Sequence, residues 1–87
     1  MKRSYTIIYD TKASQDLCKL PQNIGKRIFN KIKESKKDVK HFWTRLEGRT
    51  DYRIRIGHYR AIADIDNTEK TINITKIGHR STIYEKI

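Results

Sequence analysis

The sequence has few of the residues that build covalent or metal-bound scaffolds, and it has no long apolar segment. Cys18 is the single cysteine among 87 residues, which excludes an internal disulfide and a cysteine-based zinc site. No apolar run approaches the roughly 20 residues that a membrane helix needs. Ser4–Tyr9, behind the basic N-terminus, is too short and too polar for the core of a signal peptide. We therefore expect one cytoplasmic domain over residues 1–87, without a membrane partner.

Positive charge is what the sequence has in excess. Twenty Lys and Arg oppose ten Asp and Glu, which gives a net charge of +10. Residues 22–60 carry twelve basic and four acidic side chains, whereas residues 61–87 carry four of each. A charge of this size attracts polyanions. It favours nucleic acid, an acidic protein, or both as partners, although a basic run is by itself often only a solvated face.

The periodicity of apolar residues predicts an α+β fold. Ser4–Tyr9 alternates as a strand does. Thr11 can cap a helix over 12–20, and Pro21 can end that helix and open a second one over 21–35. With so short a break, the two helices are expected to form a hairpin.

The second half of the chain predicts an antiparallel sheet. Residues 38–51 are interpreted as irregular, with Trp43 as a core anchor. Three alternating runs then predict strands over 52–56, 59–65 and 71–77. The expected fold is an N-terminal strand, an α-helical hairpin and a mainly antiparallel sheet.

Most of the candidate functional residues lie on the two predicted strands on either side of Gly57-His58. Glycine at the first position of a two-residue turn predicts a hairpin in which Arg55 lies opposite Arg60. One face of this hairpin is apolar (Tyr52, Ile54, Ile56, Tyr59, Ala61 and Ala63), and the other, here called the arginine face, shows Arg53, Arg55 and Arg60.

The arginine face favours a bound anion. Like charges directly opposite one another destabilise a sheet by roughly 0.2–1 kcal/mol, so this cluster opposes folding. Arginine binds phosphate in a bidentate way and stays charged at any working pH. The alternative is that the three arginines only face solvent, with Asp51 or Asp64 as partial screens.

Two further groups accompany this face. The segment Ile77–Arg80 follows the last strand, so His79 and Arg80 are expected near an edge of the arginine face. Tyr84 can stack on a nucleobase, hydrogen-bond a phosphate, or simply cover the end of the core. On the second helix, the basic side chains form a guide for RNA phosphates, a docking face for an acidic partner, or a solvated surface; those predicted to bind RNA are Lys26, Arg27 and Lys33.

These stretches resemble the RelE/ParE toxin superfamily over nearly the whole chain. The resemblance rests on L-x-G at Leu46–Gly48, Y-R-I-R-x-G-x-Y-R at Tyr52–Arg60, and I-G-H-R at Ile77–Arg80 followed by Tyr84. The chain looks closer to the RelE-type mRNA interferases than to the ParE-type gyrase inhibitors, which usually lack the full basic and tyrosine set.

The resemblance implies a microbial-ribonuclease-like core and a ribosome-dependent endoribonuclease that needs no metal or cofactor. Such toxins cleave mRNA in the A site by attack of the 2′-hydroxyl on the adjacent phosphate, and an acidic RelB-like antitoxin neutralises them. By position, Arg53 and Arg55 correspond to two catalytic lysines of the family. Arg60 and Arg80 correspond to its arginines, and Tyr84 to the tyrosine that stacks on the target base.

The sequence differs from the family at the position of the residue proposed as the catalytic base. Arg55 stands where the family has the lysine proposed as the base, and arginine is a poor base because its pKa exceeds about 12. Arg55 is therefore expected to act electrostatically, with His79, His58 or Glu47 as candidates for proton transfer. Two other functions stay open: a ParE-like gyrase inhibitor without nuclease activity, and a non-catalytic basic module that binds RNA or its antitoxin.

Overall fold

A computed structural model describes residues 4–86, with side chains described as far as Tyr84. The first half contains one strand and a series of helices: β1 (Thr6–Tyr9), α1 (Thr11–Cys18), α2 (Gln22–Glu34), a 3-10 helix (Ser35–Lys37) and α3 (Val39–Phe42). The second half contains four strands and a last 3-10 helix: β2 (Thr44–Arg45), β3 (Tyr52–Ile56), β4 (Tyr59–Asp66), β5 (Thr71–His79) and Ile83–Lys86.

The strands form one five-stranded sheet in the order β1-β5-β4-β3-β2. β1 is parallel to β5, and the other neighbours are antiparallel. The predicted α+β fold, with an N-terminal strand, two consecutive helices and a mainly antiparallel sheet, is confirmed.

The structure differs from the sequence prediction in two local features, the cap of α1 and the segment 38–51. The side chain of Asp10, not that of Thr11, caps α1, because its Oδ1 accepts the Ala13 N–H at 2.9 Å. Residues 38–51 are not wholly irregular, since they contain α3 and β2. The Asp38 Oδ1 accepts the His41 N–H at 3.3 Å and so caps α3.

The main core lies between α2 and one face of the sheet. Ile28 and Ile32 of α2 are buried, as are Ile54 of β3 and Ile74 of β5. Trp43 is 3% exposed, and its Nε1 donates to Ser35 Oγ at 2.9 Å. Its predicted position as a core anchor is therefore confirmed.

The C-terminal segment covers part of the opposite face of the sheet. Ile62 pairs with Arg53 and so lies on the arginine face, yet it is fully buried. Ile83 is also buried, and a Cβ built on Gly78 would lie 3.6 Å from the Ile83 Cβ. The last 3-10 helix therefore packs over the sheet at Gly78, beside the arginine face.

Candidate functional site

The hairpin formed by β3 and β4 has the register that the sequence predicts. Arg55 pairs with Arg60, and Arg53 pairs with Ile62. Gly57 has a φ of 60°, the left-handed conformation that a glycine at the first position of such a turn supplies. Because side chains alternate along a strand, this register puts the three arginines on one face.

The three arginines of this face differ in exposure. Arg55 is exposed and Arg53 is half-buried, whereas Arg60 is only 8% exposed. The Arg60 Nη1 donates to the carbonyl oxygens of Gly57 at 2.8 Å and Tyr59 at 2.7 Å. The sequence predicted three arginines displayed together. In the structure, Arg60 instead turns back onto the hairpin turn.

Acidic side chains do not neutralise the arginine face within the described part of the chain. The ion pairs there are Lys12–Asp16 and Arg49–Asp51. Asp51 accepts from Arg49 Nε at 2.8 Å and from Nη2 at 3.0 Å, and this pairing lowers the pKa of Asp51. Asp51 therefore pairs with Arg49 and forms no ion pair with Arg53 or Arg55, whose guanidinium groups remain available to an anion.

The C-terminal segment brings two predicted residues to this hairpin. Arg53 Nη1 donates to Tyr84 Oη at 3.1 Å. The backbone N–H of Arg80 donates to the His58 carbonyl at 2.8 Å, which fixes the Arg80 backbone beside the turn. Tyr84 is 37% exposed, so its ring is accessible; the core at this end is covered by Ile83.

His79 does not join the arginine face. Gly78 pairs with Arg60, and His79 pairs with Tyr59 on the other face of the sheet. Its ring lies edge-on to Tyr59 at 5.4 Å between centroids and stacks on His58 at 6.3 Å. The prediction that His79 lies near an edge of the arginine face is therefore wrong, because the register of β4 and β5 places its side chain on the opposite face.

The basic residues of α2 lie on two flanks. Lys26 and Arg27 line a cavity of about 630 Å³ between α2 and β3, together with Arg55 and Gly57. Lys33 lines cavities near Ser4 at the β1 side of α2. The structure thus brings Lys26 and Arg27 together with Arg55, and it does not bring Lys33 there.

Two residues beside the same strand are absent from the set that the sequence predicts to bind RNA. Lys31 and His41 line a cavity of about 280 Å³ with Arg53 and Arg55. Lys31 follows Arg27 by four positions, so helical periodicity could have placed it on the same flank. His41 gave no such signal, because its segment was interpreted as irregular.

Two sequence expectations can be compared with the described residues. Among residues 4–86, no group of three or more His, Cys, Asp or Glu side chains is arranged to hold a metal ion. The same part of the chain has no helix of the length and apolarity required to cross a membrane.

Solved structures of toxin–antitoxin complexes share this fold. A chain of RelBE2 from Mycobacterium tuberculosis is 27% identical with a TM-score of 0.79, and the match covers 90% of this chain and 100% of that one. A chain of RelB-RelE from Methanococcus jannaschii is 26% identical with a TM-score of 0.71, covering 92% and 98%. For RelE-RelB of Pyrococcus horikoshii OT3, the identity is 25%, the TM-score 0.74, and the coverage 90% and 97%.

Sequence comparison assigns the family. A search of curated proteins found no match. The model of the family described as "ParE toxin of type II toxin-antitoxin system, parDE" matches residues 7–84, which is most of the chain. The chain therefore belongs to the ParE toxin family, within the RelE/ParE superfamily, and is a toxin of the type II toxin–antitoxin class.

Proposed function

We propose that this toxin is a ribosome-dependent endoribonuclease that cleaves mRNA in the A site and so inhibits translation. The observation that carries the proposal is the exposed Arg55 beside Arg53, with no acidic partner among the described side chains and with Tyr84 held at the same place. A sheet surface that gathers guanidinium groups in this way fits a phosphate with an adjacent base.

In this proposal the arginines stabilise the charge that builds on the phosphate during attack by the 2′-hydroxyl. Arg53 and Arg55 contact the phosphate directly, and Arg80, fixed beside the turn, adds a further cation. Tyr84 stacks on the target base and helps to align the reacting groups. Arg60 is buried, so it contributes only its charge. Its hydrogen bonds to Gly57 and Tyr59 stabilise the turn that follows Arg55.

Proton transfer is assigned to a group outside the arginine face. Arginine cannot act as a base near neutral pH. The His79 ring lies against Tyr59, on the opposite face of the sheet, and stacks on the ring of His58 in the turn. Arg55 therefore acts by electrostatics alone and another group moves the proton, for which Glu47 stays a candidate.

The proposed partners are the ribosome, mRNA and an acidic RelB-like antitoxin, all met in the cytoplasm. The net charge of +10 supports an acidic binding partner. The similar solved structures are complexes of RelE-type toxins with RelB-type antitoxins, which supports the same pairing for this chain.

A second candidate function is inhibition of DNA gyrase. It is favoured by one observation, namely that the matching family model describes ParE toxins of parDE systems. That function requires no exposed set of arginines with a tyrosine, so the arginine face favours the nuclease.

The experiment that decides between them measures mRNA cleavage and gyrase activity with the same preparations. The toxin is added to a translating extract, and cuts are mapped by primer extension; Arg55→Ala, Arg80→Ala and Tyr84→Ala are compared with the charge-matched control Lys70→Ala. We expect cuts with the unmodified toxin and Lys70→Ala, and a loss of at least about a hundredfold with the other three, as for removal of one group that stabilises a transition state. Poisoned gyrase without mRNA cuts would contradict the nuclease.

A further inference from the structure

Two neighbouring cavities follow the edge of β3. The cavity between α2 and β3 and the cavity between α3, β2 and β3 share two lining residues, Lys31 and Arg55. They begin at Arg53, the last residue of β3 that pairs with the short β2, and continue along residues 54–57, which β2 leaves unpaired. We call this the edge trough and define it by six of its lining residues: Lys26, Arg27, Lys31, His41, Arg53 and Arg55.

The edge trough is strongly cationic. Five of its six defining residues are Lys or Arg, and Glu34 is the one carboxylate among the residues that line the two cavities. The ion pairs among the described side chains, Lys12–Asp16 and Arg49–Asp51, involve none of these cations. Among the described side chains, Glu34 alone offsets the charge of these cations at the trough, so a bound polyanion would relieve their mutual repulsion.

Aromatic rings accompany the cations. His41 is exposed and lies edge-on to Phe42, with 5.2 Å between centroids. Lys31 Nζ lies 5.0 Å from the centroid of the Phe42 ring, which holds the lysine at the junction of the two cavities. Cationic grooves with accessible rings are the arrangement that single-stranded nucleic acids use.

The apolar surface lies elsewhere. Of the three large exposed hydrophobic residues in the described part of the chain, Ile8 and Phe29 are on β1 and on the β1 side of α2, where Phe29 stacks on Tyr9 at 6.1 Å, and Tyr84 is on the arginine face, outside the lining of the trough. An amphipathic protein segment would gain affinity on the β1 side, by burying apolar area. The edge trough favours an RNA strand over a protein helix.

We propose that the edge trough binds the single-stranded RNA that flanks the phosphate held on the arginine face. This rests on the proposed function and adds a second RNA-binding site to it. Arg53 and Arg55 belong to both surfaces, so the strand turns around the edge of β3 at these residues. Its phosphates then contact Lys31, Lys26 and Arg27, and one of its bases stacks on His41.

The test measures binding separately from cleavage. A fluorescein-labelled oligouridine with 2′-O-methyl groups cannot be cut by 2′-hydroxyl attack, and its affinity is measured by anisotropy from 50 to 200 mM salt. The variants are Lys26→Gln/Lys31→Gln and His41→Ala, with Lys70→Gln as the control. Lys70 lies over the Tyr5 ring beside β1, far from β3 in the strand order. Thermal melting shows that each variant is folded.

Each phosphate contact contributes about 0.7 to the slope of log affinity against log salt for a single strand. The slope of the double variant is therefore expected to be smaller by about 1.4 than that of the unmodified toxin. Between 50 and 200 mM salt, the loss of affinity is then about sevenfold smaller in the double variant. His41→Ala is expected to bind at least about fivefold more weakly without a change in slope, since it removes stacking and not charge. Lys70→Gln is expected to keep the affinity and slope of the unmodified toxin.

Three results would overturn the proposal: no binding of the probe by the unmodified toxin, an unchanged slope in the double variant, or an equal loss of slope in Lys70→Gln. Loss of binding to an acidic antitoxin peptide, with RNA affinity retained, would show that the trough docks a protein and would also overturn it. A toxin that binds the probe through Lys26 and Lys31 but cuts no mRNA would contradict the nuclease alone and leave the trough in place.

Discussion

Arg53 and Tyr84 are joined by a hydrogen bond of 3.1 Å from Nη1 to Oη, although they lie 31 positions apart in the sequence. The bond ties the C-terminal 3-10 helix to the middle of β3 and fixes the tyrosine ring on the arginine face. Arg53 therefore has two roles in the proposed nuclease, as a phosphate ligand and as the residue that orients Tyr84.

The two parts of Tyr84 can be separated by substitution. Tyr84→Phe keeps the ring and removes a partly exposed hydrogen bond worth roughly 0.5–1.5 kcal/mol, so single-turnover cleavage on programmed ribosomes is expected to fall about twofold to tenfold. Tyr84→Ala also removes stacking worth roughly 1–3 kcal/mol and is expected to fall further. Equal losses in the two variants would show that the hydroxyl, and not the ring, matters.

Arg55 and Arg60 pair directly across the hairpin but are expected to differ in their effect on stability. Arg60→Ala leaves the Gly57 and Tyr59 carbonyls without their side-chain donor, at a cost of roughly 1–3 kcal/mol. In a domain of this size, each kcal/mol lowers Tm by about 4–8 °C. Arg55→Ala removes a like-charge neighbour and is expected to change stability by less than about 0.5 kcal/mol, with a gain at low salt. A loss in Arg55→Ala as large as in Arg60→Ala would contradict this difference.

The turn glycine is expected to affect both stability and RNA affinity. Gly57 and Gly48 have φ of 60° and 72°, so alanine at either position costs roughly 1–2 kcal/mol. A Cβ at Gly57 would also lie 3.3 Å from Arg27 Nη2, whereas a Cβ at Gly48 meets nothing within 4 Å. The Arg27 guanidinium is the end of a flexible chain and moves aside, so Gly57→Ala alone is expected to weaken binding of the uncleavable probe. Similar melting temperatures with equally weakened binding in both variants would contradict a role of Arg27.

The Arg49–Asp51 pair predicts a pH-dependent contribution to stability. The hydrogen bond from Arg49 lowers the pKa of Asp51 in the folded protein. A carboxyl group whose pKa is lowered on folding stabilises the protein above its unfolded pKa and loses that contribution as the pH falls through the folded value. Asp51→Asn is therefore expected to lower Tm at neutral pH, by an amount that shrinks below about pH 4. Thermal melts against pH, with the exposed Glu47→Gln as control, measure this; a constant difference down to pH 2 would contradict it.

The hairpin was predictable from sequence because two independent constraints agree on its register. A glycine at the first turn position and strict alternation of apolar residues allow one pairing of Arg55 with Arg60. The burial of Arg60 was not predictable, since it depends on where a long side chain finds carbonyl partners. The edge trough was missed because it needs α3, and neither propensity nor periodicity marks a helix of four residues.

The position of β1 has a consequence for how the toxin is made. β1 lies at the edge of the sheet, and its only strand partner in the described sheet is β5, which begins at Thr71. Pairs so distant along the chain close late, after the intervening residues are available. During translation the segment Thr6–Tyr9 must wait for Thr71–Ile74 to leave the ribosomal exit tunnel. The five-stranded sheet is therefore completed only after β5 has left the ribosome, whereas the arginine face itself needs only β3 and β4.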